Sequence, residues 1–370
     1  MRHAAPLLVA LVGACAVAEP VRARPTPGDA VREGVAYLVR SQNSNGSWGS
    51  PRGTTGFDVL ASPPGSHDAF RFGTTALGVM ALAEAAKTDP AAAEARRKGL
   101  AFLLSAGEDV KRATPMEIYN VWAHGFGAQA LAESYPEFKG TPTGERIARA
   151  WERELAALGR YETMWGGWNY YDFDARTKTP SMEPTSFTTA TVLAAFEEGK
   201  RAGLAVPERL VERAVKVVER CRKPDGSFLY DFGWRYAPMH PANRMKGSLG
   251  RAQACNFGLA AWGKLEAGPL RAGLEQFFKE HRFIEIGRKR QWPHEGWYAT
   301  APYYYYYGHY YAARIIERMD PEDRAEFAPK LRDVVMPYQE PDGSWWDYNM
   351  YEYERPYGTA FAVMILQRLK

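Results

Sequence analysis

The pattern Gln-x3-Gly-x-Trp occurs at Gln42-x3-Gly46-x-Trp48 and returns at Gln339-x3-Gly343-x-Trp345, with degraded copies at Glu162-x3-Gly166-x-Trp168 and Arg222-x3-Gly226-x-Phe228. A motif that recurs at intervals of tens of residues marks a chain built from repeated supersecondary units. Such a signature constrains the fold strongly and the chemistry weakly.

The segments between the copies are of two kinds. Residues 29–42 place Val31, Val35, Leu38 and Val39 on one helical face, and residues 207–221 oppose Leu210, Val211, Ala214, Val217 and Val218 to charged neighbours. Both read as one-sided surface helices. Residues 74–86, 188–196, 252–262 and 359–369 are apolar or small nearly all round and read as buried helices. The two kinds alternate: outer helices over 29–42, 94–105, 144–160, 207–221, 269–281 and 322–337, inner helices over 73–87, 116–134, 186–202, 250–266, 304–319 and 357–369. Gly and Pro supply the turns, as in Pro224-Asp225-Gly226 and Pro341-Asp342-Gly343. The expected fold is all-α, a single-domain (α/α)6 toroid of six helical hairpins spanning 29–370. Its function is expected at the mouth where the inner helices begin, because helix N-termini and long loops converge there.

With 370 residues, 46% hydrophobic and 24% charged, the chain has a globular composition. A net charge of +4 gives no reason to expect nucleic acid as a partner, and the run Arg288-Lys289-Arg290 reads as a solvated loop. Residues 1–18 read as a signal peptide, with Arg2 and His3 ahead of the apolar stretch 6–17 and a small-x-small site at Ala16-Val17-Ala18. The alternative is a lipoprotein signal ending before Cys15. Residues 19–28 read as a linker. The apolar stretch is too short to span a membrane, so an exported protein is expected, periplasmic, secreted or lipid-anchored. Cys221 and Cys255 are then the cysteines of the mature body.

The string Arg32-x-Gly34-x2-Tyr37-Leu38-x3-Gln42-x3-Gly46-x-Trp48 resembles the QW repeat of squalene and terpene cyclases, and the mature chain resembles the prenyltransferase and squalene-oxidase repeat proteins. The match covers five of the six hairpins, the second (94–134) lacking the signature. The resemblance implies structural bracing for Gln42, Trp48, Gln339 and Trp345. Squalene-type cyclisation needs an Asp-x-Asp-Asp acid, which is absent; the nearest string is Asp172-Phe173-Asp174-Ala175. The related protein prenyltransferases hold zinc on an Asp-x-Cys pair and a His. Here Gln253-x-Cys255 and His309 are similar in placement, with Gln in place of Asp, which implies zinc as the one candidate cofactor. His124 in Tyr119-Asn120-Val121-Trp122-Ala123-His124-Gly125 resembles a segment of exported members of the repeat family and is a candidate base or ligand.

A different chemistry is offered by Asp172, Asp174 and Glu183, which share one loop with Trp165, Trp168, Tyr170 and Tyr171. Carboxylates among aromatic faces suit acid–base work on sugars, or a calcium ion. The run Tyr303 to Tyr307, with Tyr310 and Tyr311, opens the fifth inner helix and gives the ring an amphipathic interior suited to a sugar, a quinone or an isoprenoid headgroup. Arg235, His240 and Asn243 lie in the long loop before the fourth inner helix. The leading expectation is an exported toroid binding an amphipathic or isoprenoid-type ligand, or a protein partner, at its mouth. Tyr119, Trp122, Trp165, Trp168, Tyr171, Arg251 and Tyr307 are its contact residues. The alternatives are a carbohydrate-active hydrolase or lyase on Asp172 and Asp174, and a zinc-dependent transferase or cyclase on Cys255 and His309.

Overall fold

A computed structural model describes residues 26–54, 65–112, 114–296 and 299–369. The expected leader (1–18), with Cys15, lies outside the described residues, as does most of the linker. The linker's last residues belong to the fold, Thr26 capping the first helix and Pro27 opening it.

Thirteen α-helices and no named strand occur among the described residues. Six form an inner ring: α2 (Gly65–Ala81), α4 (Asn120–Phe138), α6 (Ser186–Ala202), α8 (Met245–Ala261), α11 (Tyr304–Glu317) and α13 (Glu354–Arg368). Each packs on its two neighbours, and α13 returns to α2, so the ring closes. Around it run α1 (Pro27–Arg40), α3 (Pro90–Ala106), α5 (Pro142–Tyr161), α7 (Glu208–Cys221), α9 (Ala267–Lys279) and α12 (Pro321–Val335). The expected toroid is therefore the observed one.

Local sequence explains where the outer helices begin. Thr26, Asp89, Thr141 and Asp320 are N-caps whose side chains accept backbone N–H groups, each followed by a proline at the first helical position. That pairing satisfies orphan donors and presets φ. Several expected boundaries shift, the second inner helix starting at Asn120 instead of 116 and the first ending at Ala81 instead of 87. The first inner helix starts eight residues early, at Gly65 instead of 73, and the fourth at Met245 instead of 250. The fifth outer helix is followed by an unforeseen short helix, α10 (His281–Gly287), because its two buried aromatic and aliphatic anchors, Phe283 and Ile284, pack under α8 and α11.

The repeated motif does structural work in the three copies that carry tryptophan. The indole N–H of Trp48 donates to the Leu38 carbonyl at 2.7 Å, that of Trp168 to Leu158 at 2.8 Å and that of Trp345 to Val335 at 3.1 Å. Their backbone N–H groups donate to the hydroxyls of Thr75, Thr189 and Thr359 on the following inner helices. The Gln42 amide donates to Gly46 and to Ala95 on the next outer helix, and the Gln339 amide to Gly343 and to Ala30 on α1. In the degraded third copy an ion pair replaces the amide: the Glu162 carboxylate meets Arg213 at 2.6 Å and Arg209 at 3.2 Å on α7. Gly46 turns the motif with φ +87°, and a Cβ there would stand 2.5 Å from the Lys98 carbonyl, so both conformation and space require glycine.

Candidate functional site

The ring encloses a cavity of about 240 Å³ at the end where the inner helices begin. Its wall follows from helical spacing. Phe70, Thr74 and Leu77 descend on α2; Tyr119, Trp122 and Phe126 on the start of α4; Tyr303, Tyr304 and Tyr307 on α11; Tyr357 and Phe361 on α13. Residues three or four apart on a helix share a face, so α2, α4, α11 and α13 each line the cavity with one vertical file of side chains, most of them rings. Phe187 on α6 and the loop residues Tyr170, Pro293, Tyr348 and Met350 complete the lining. Among the described residues, none that lines the cavity is Asp, Glu, Lys, Arg or His.

The cavity has a polar rim and an apolar floor. At the rim the hydroxyls of Tyr119 and Tyr171 lie 3.2 Å apart, the Tyr170 and Tyr230 hydroxyls 3.4 Å apart, and Tyr303 packs edge-on against Tyr348. Burial raises the phenols of Tyr119, Tyr170, Tyr230 and Tyr303 and pushes that of Tyr348 up to about 12, so these five hydroxyls stay neutral. At the floor Trp122 stacks on Phe126, and Phe126 meets Phe361 edge-on at 5.9 Å. Below it Gln129 donates to the Tyr310 hydroxyl at 2.7 Å. A second cavity of about 570 Å³ lies at the opposite, C-terminal end of the inner helices. It is lined by paired charges, with Arg314 bonded to Glu198 and Arg318 to Glu197.

Three of the seven contact residues expected from sequence reach the aromatic cavity: Tyr119, Trp122 and Tyr307. Tyr307 is held by the Thr191 hydroxyl at 2.9 Å and the Phe187 carbonyl at 3.0 Å. The other four stand elsewhere. Trp168 is a buried brace and Trp165 an exposed ring against Phe232. Tyr171 supports Tyr119 from outside the lining. Arg251 is fully buried behind the wall, donating to the carbonyls of Gly247, Phe228 and Ala242 with its guanidinium over Tyr230 and Tyr304. A cation there props the wall through ring faces.

The acid–base candidates are placed away from the cavity. Asp172 is fully buried, pairs with Arg112 at 3.0 Å and accepts from Ile118 N and Asn120 Nδ2, tying its loop to the start of α4. Asp174 turns the adjoining loop, its N–H donating to the Thr179 carbonyl. His124 faces outward onto α5, with Nδ1 2.5 Å from Glu154 Oε2, and Glu154 is further held by Arg153 at 2.9 Å. The two residues read as zinc ligands each have other partners. His309 Nδ1 bonds the Tyr305 carbonyl at 2.6 Å and its Nε2 meets His281 Nε2 at 2.8 Å. Cys255 lies beside Ser186, and burial pushes its thiol up to about 12. No group of three His, Cys, Asp or Glu able to hold a metal occurs among the described residues.

Asp347 is the residue that sequence reading missed. It is fully buried, accepts from Tyr306 N at 3.0 Å and from the hydroxyl of the lining residue Tyr357, and burial pushes its carboxyl up to about 7. Its only signal in sequence is its position two residues after the bracing Trp345.

No family model matches the chain, and no curated protein matches it. Solved structures do. An inactive variant of an α-1,6-mannanase from Salegentibacter sp. HEL1_6 aligns at TM-score 0.56 and 10% identity, over 94% of this chain and all of that one (100%). Cellobiose 2-epimerase from Spirochaeta thermophila aligns at TM-score 0.55 and 15% identity, over 95% and 99%. A variant of the type II terpene cyclase MstE from Scytonema aligns at TM-score 0.52 and 14% identity, over 93% and 96%. The chain has a terpene-cyclase-like α/α toroid fold. That scaffold is shared with enzymes of unrelated chemistry, so the site must be read from its own residues.

Proposed function

We propose that the toroid binds a neutral, largely apolar small molecule of isoprenoid type, seated in the aromatic cavity with any oxygenated end at the tyrosine rim. The observation that supports this reading is the lining itself: aromatic rings from five of the six inner helices, hydroxyls at the rim, and no acid, base or cation among the described lining residues. Burying a charged ligand there would leave it unpaired, at a cost of several kcal/mol, whereas apolar surface gains ~25 cal/mol per Å² removed from water. A volume of about 240 Å³ equals the liquid share of roughly eight waters, so the cavity takes a ten-carbon skeleton or the end of a longer one.

The carbohydrate-active alternative draws on the mannanase and epimerase that share the fold. It has less support, because Asp172 is engaged by Arg112 and neither Asp172 nor Asp174 lines the cavity.

The test is titration of limonene and of farnesol into the protein, followed by quenching of tryptophan fluorescence and by calorimetry, with mannose and cellobiose oligosaccharides as the opposing set. Saturable binding of the terpenoids alone supports the reading. Binding or turnover of the sugars with no terpenoid response would sink it.

A further inference from the structure

Eight large apolar side chains stand exposed among the described residues, and all eight lie on the segments that lead from an outer helix into the next inner helix. None is on the turns at the opposite end of the ring. Since every inner helix begins at the cavity mouth, these side chains share the face that carries the opening. Among them, Tyr236 is 82% exposed, Met164 73%, Met239 65%, Met182 63% and Trp292 62%.

Those on the loops 162–185 and 222–244 are drawn together into a patch on this face. Arg235 lies over the rings of Trp165 at 5.3 Å and Tyr236 at 4.4 Å, and pairs with Glu183, the neighbour of Met182, at 3.8 Å. Trp292 precedes Pro293, which lines the cavity. A one-sided patch of this size on a surface otherwise free of large exposed apolar groups marks an interaction face. The charges exposed on the four segments that carry these residues, 107–119, 162–185, 222–244 and 280–296, are Lys111, Arg176, Lys178, Arg222, Arg244, Arg282 and Arg290 against Glu108, Asp109 and Asp225.

We propose that the mouth face docks on a lipid bilayer with anionic headgroups, the Met, Trp and Tyr side chains entering the interface while the arginines and lysines meet the headgroups. No helix of the described residues is long and apolar enough to cross a membrane, so the contact is peripheral. Charge complementarity and the position of the opening select lipid over a protein. A protein seated on this face would cover the entrance, whereas a bilayer there supplies the apolar phase in which a ligand for an uncharged cavity is dissolved. The docking rests on the proposed function only for the ligand's route; the patch and its charges stand without it.

Flotation of the full chain with phosphatidylcholine vesicles, with and without phosphatidylglycerol, tests this directly. The wild type floats with the anionic vesicles, and the triple variant Tyr236→Ser, Met239→Ser, Trp292→Ser loses about tenfold or more in vesicle affinity. All three positions are exposed, so the variant's melting temperature stays unchanged, and raised salt weakens anionic binding selectively. Failure of the wild type to float with either vesicle overturns docking, as does equal flotation of the variant. A concentration-dependent dimer abolished by the triple variant, without vesicle binding, would assign the face to a second copy and equally overturn it. Limonene binding measured without vesicles separates failure of the docking from failure of the cavity reading.

Discussion

The side-chain amide of Gln339 donates to the Ala30 carbonyl at 3.0 Å, across a separation of 309 residues, and thereby fastens the last repeat to the first. Gln42 makes the equivalent bond to Ala95 at 2.7 Å one repeat further on. One motif thus serves both as a joint between neighbours in sequence and as the clasp of the ring. Gln339→Ala leaves the Ala30 and Gly343 carbonyls without their donor and is expected to cost about 1–2 kcal/mol. Chemical denaturation checks it, and an unchanged midpoint would mean that the clasp contributes nothing.

Trp122 faces the cavity and stacks on Phe126 at its floor. Trp122→Ala removes the largest ring of the wall and is expected to weaken limonene binding about tenfold, ~1.4 kcal/mol. Calorimetry decides, and the opposite outcome, unchanged affinity, would place the ligand outside this cavity.

Asp172 and Asp174 separate a structural from a chemical role. Asp172→Asn leaves the part-buried Arg112 without its carboxylate and is expected to destabilise the fold by roughly 3 kcal/mol, with cavity binding intact in the folded protein. Asp174→Asn should change neither stability nor binding. Loss of a glycan-directed activity in Asp174→Asn, with the fold retained, would restore the carbohydrate reading.

The buried carboxyl of Asp347 gives a pH dependence with a defined sign. Its folded value of about 7 lies above its ordinary 3.8, so the native state holds the proton more tightly than the unfolded chain. Its contribution is fully present below pH 3.8 and is lost as the pH rises through 7, on the order of a few kcal/mol in all. His281 acts in the opposite sense. Burial lowers it from 6.5 to about 4, so its contribution is present above pH 6.5 and lost on acidification through 4. The two partly cancel in the wild type, and the informative quantity is a difference. Asp347→Asn should become progressively more stable relative to wild type as the pH is raised from 4 to 8; parallel stability curves would show that Asp347 is ionised throughout.

The layout of helices was legible because it rests on local chemistry. One-sided helices such as 207–221 announce an outer position, all-apolar ones such as 359–369 an inner one, and the Thr-Pro and Asp-Pro caps fix where outer helices start. The bracing role of Gln42 and Trp48 was legible too, since their partners lie within or next to the repeat. The lining was legible in part: Tyr119, Trp122 and Tyr307 fall on the inward files, but Trp165, Trp168 and Tyr171 have the same composition and point elsewhere.

Sequence alone determined that this chain alternates outer and inner helices and closes them into a ring, because periodicity and capping act over a few residues at a time. Only the tertiary structure decided which aromatic rings face the cavity, and that its described lining carries no charge. Asp172 reads as a free carboxylate until Arg112, 60 residues away, is found against it, and Asp347 becomes a titrating group only through burial by other repeats. Rotation of each inner helix about its axis, set by packing on both neighbours at once, makes that choice, and no single segment encodes it.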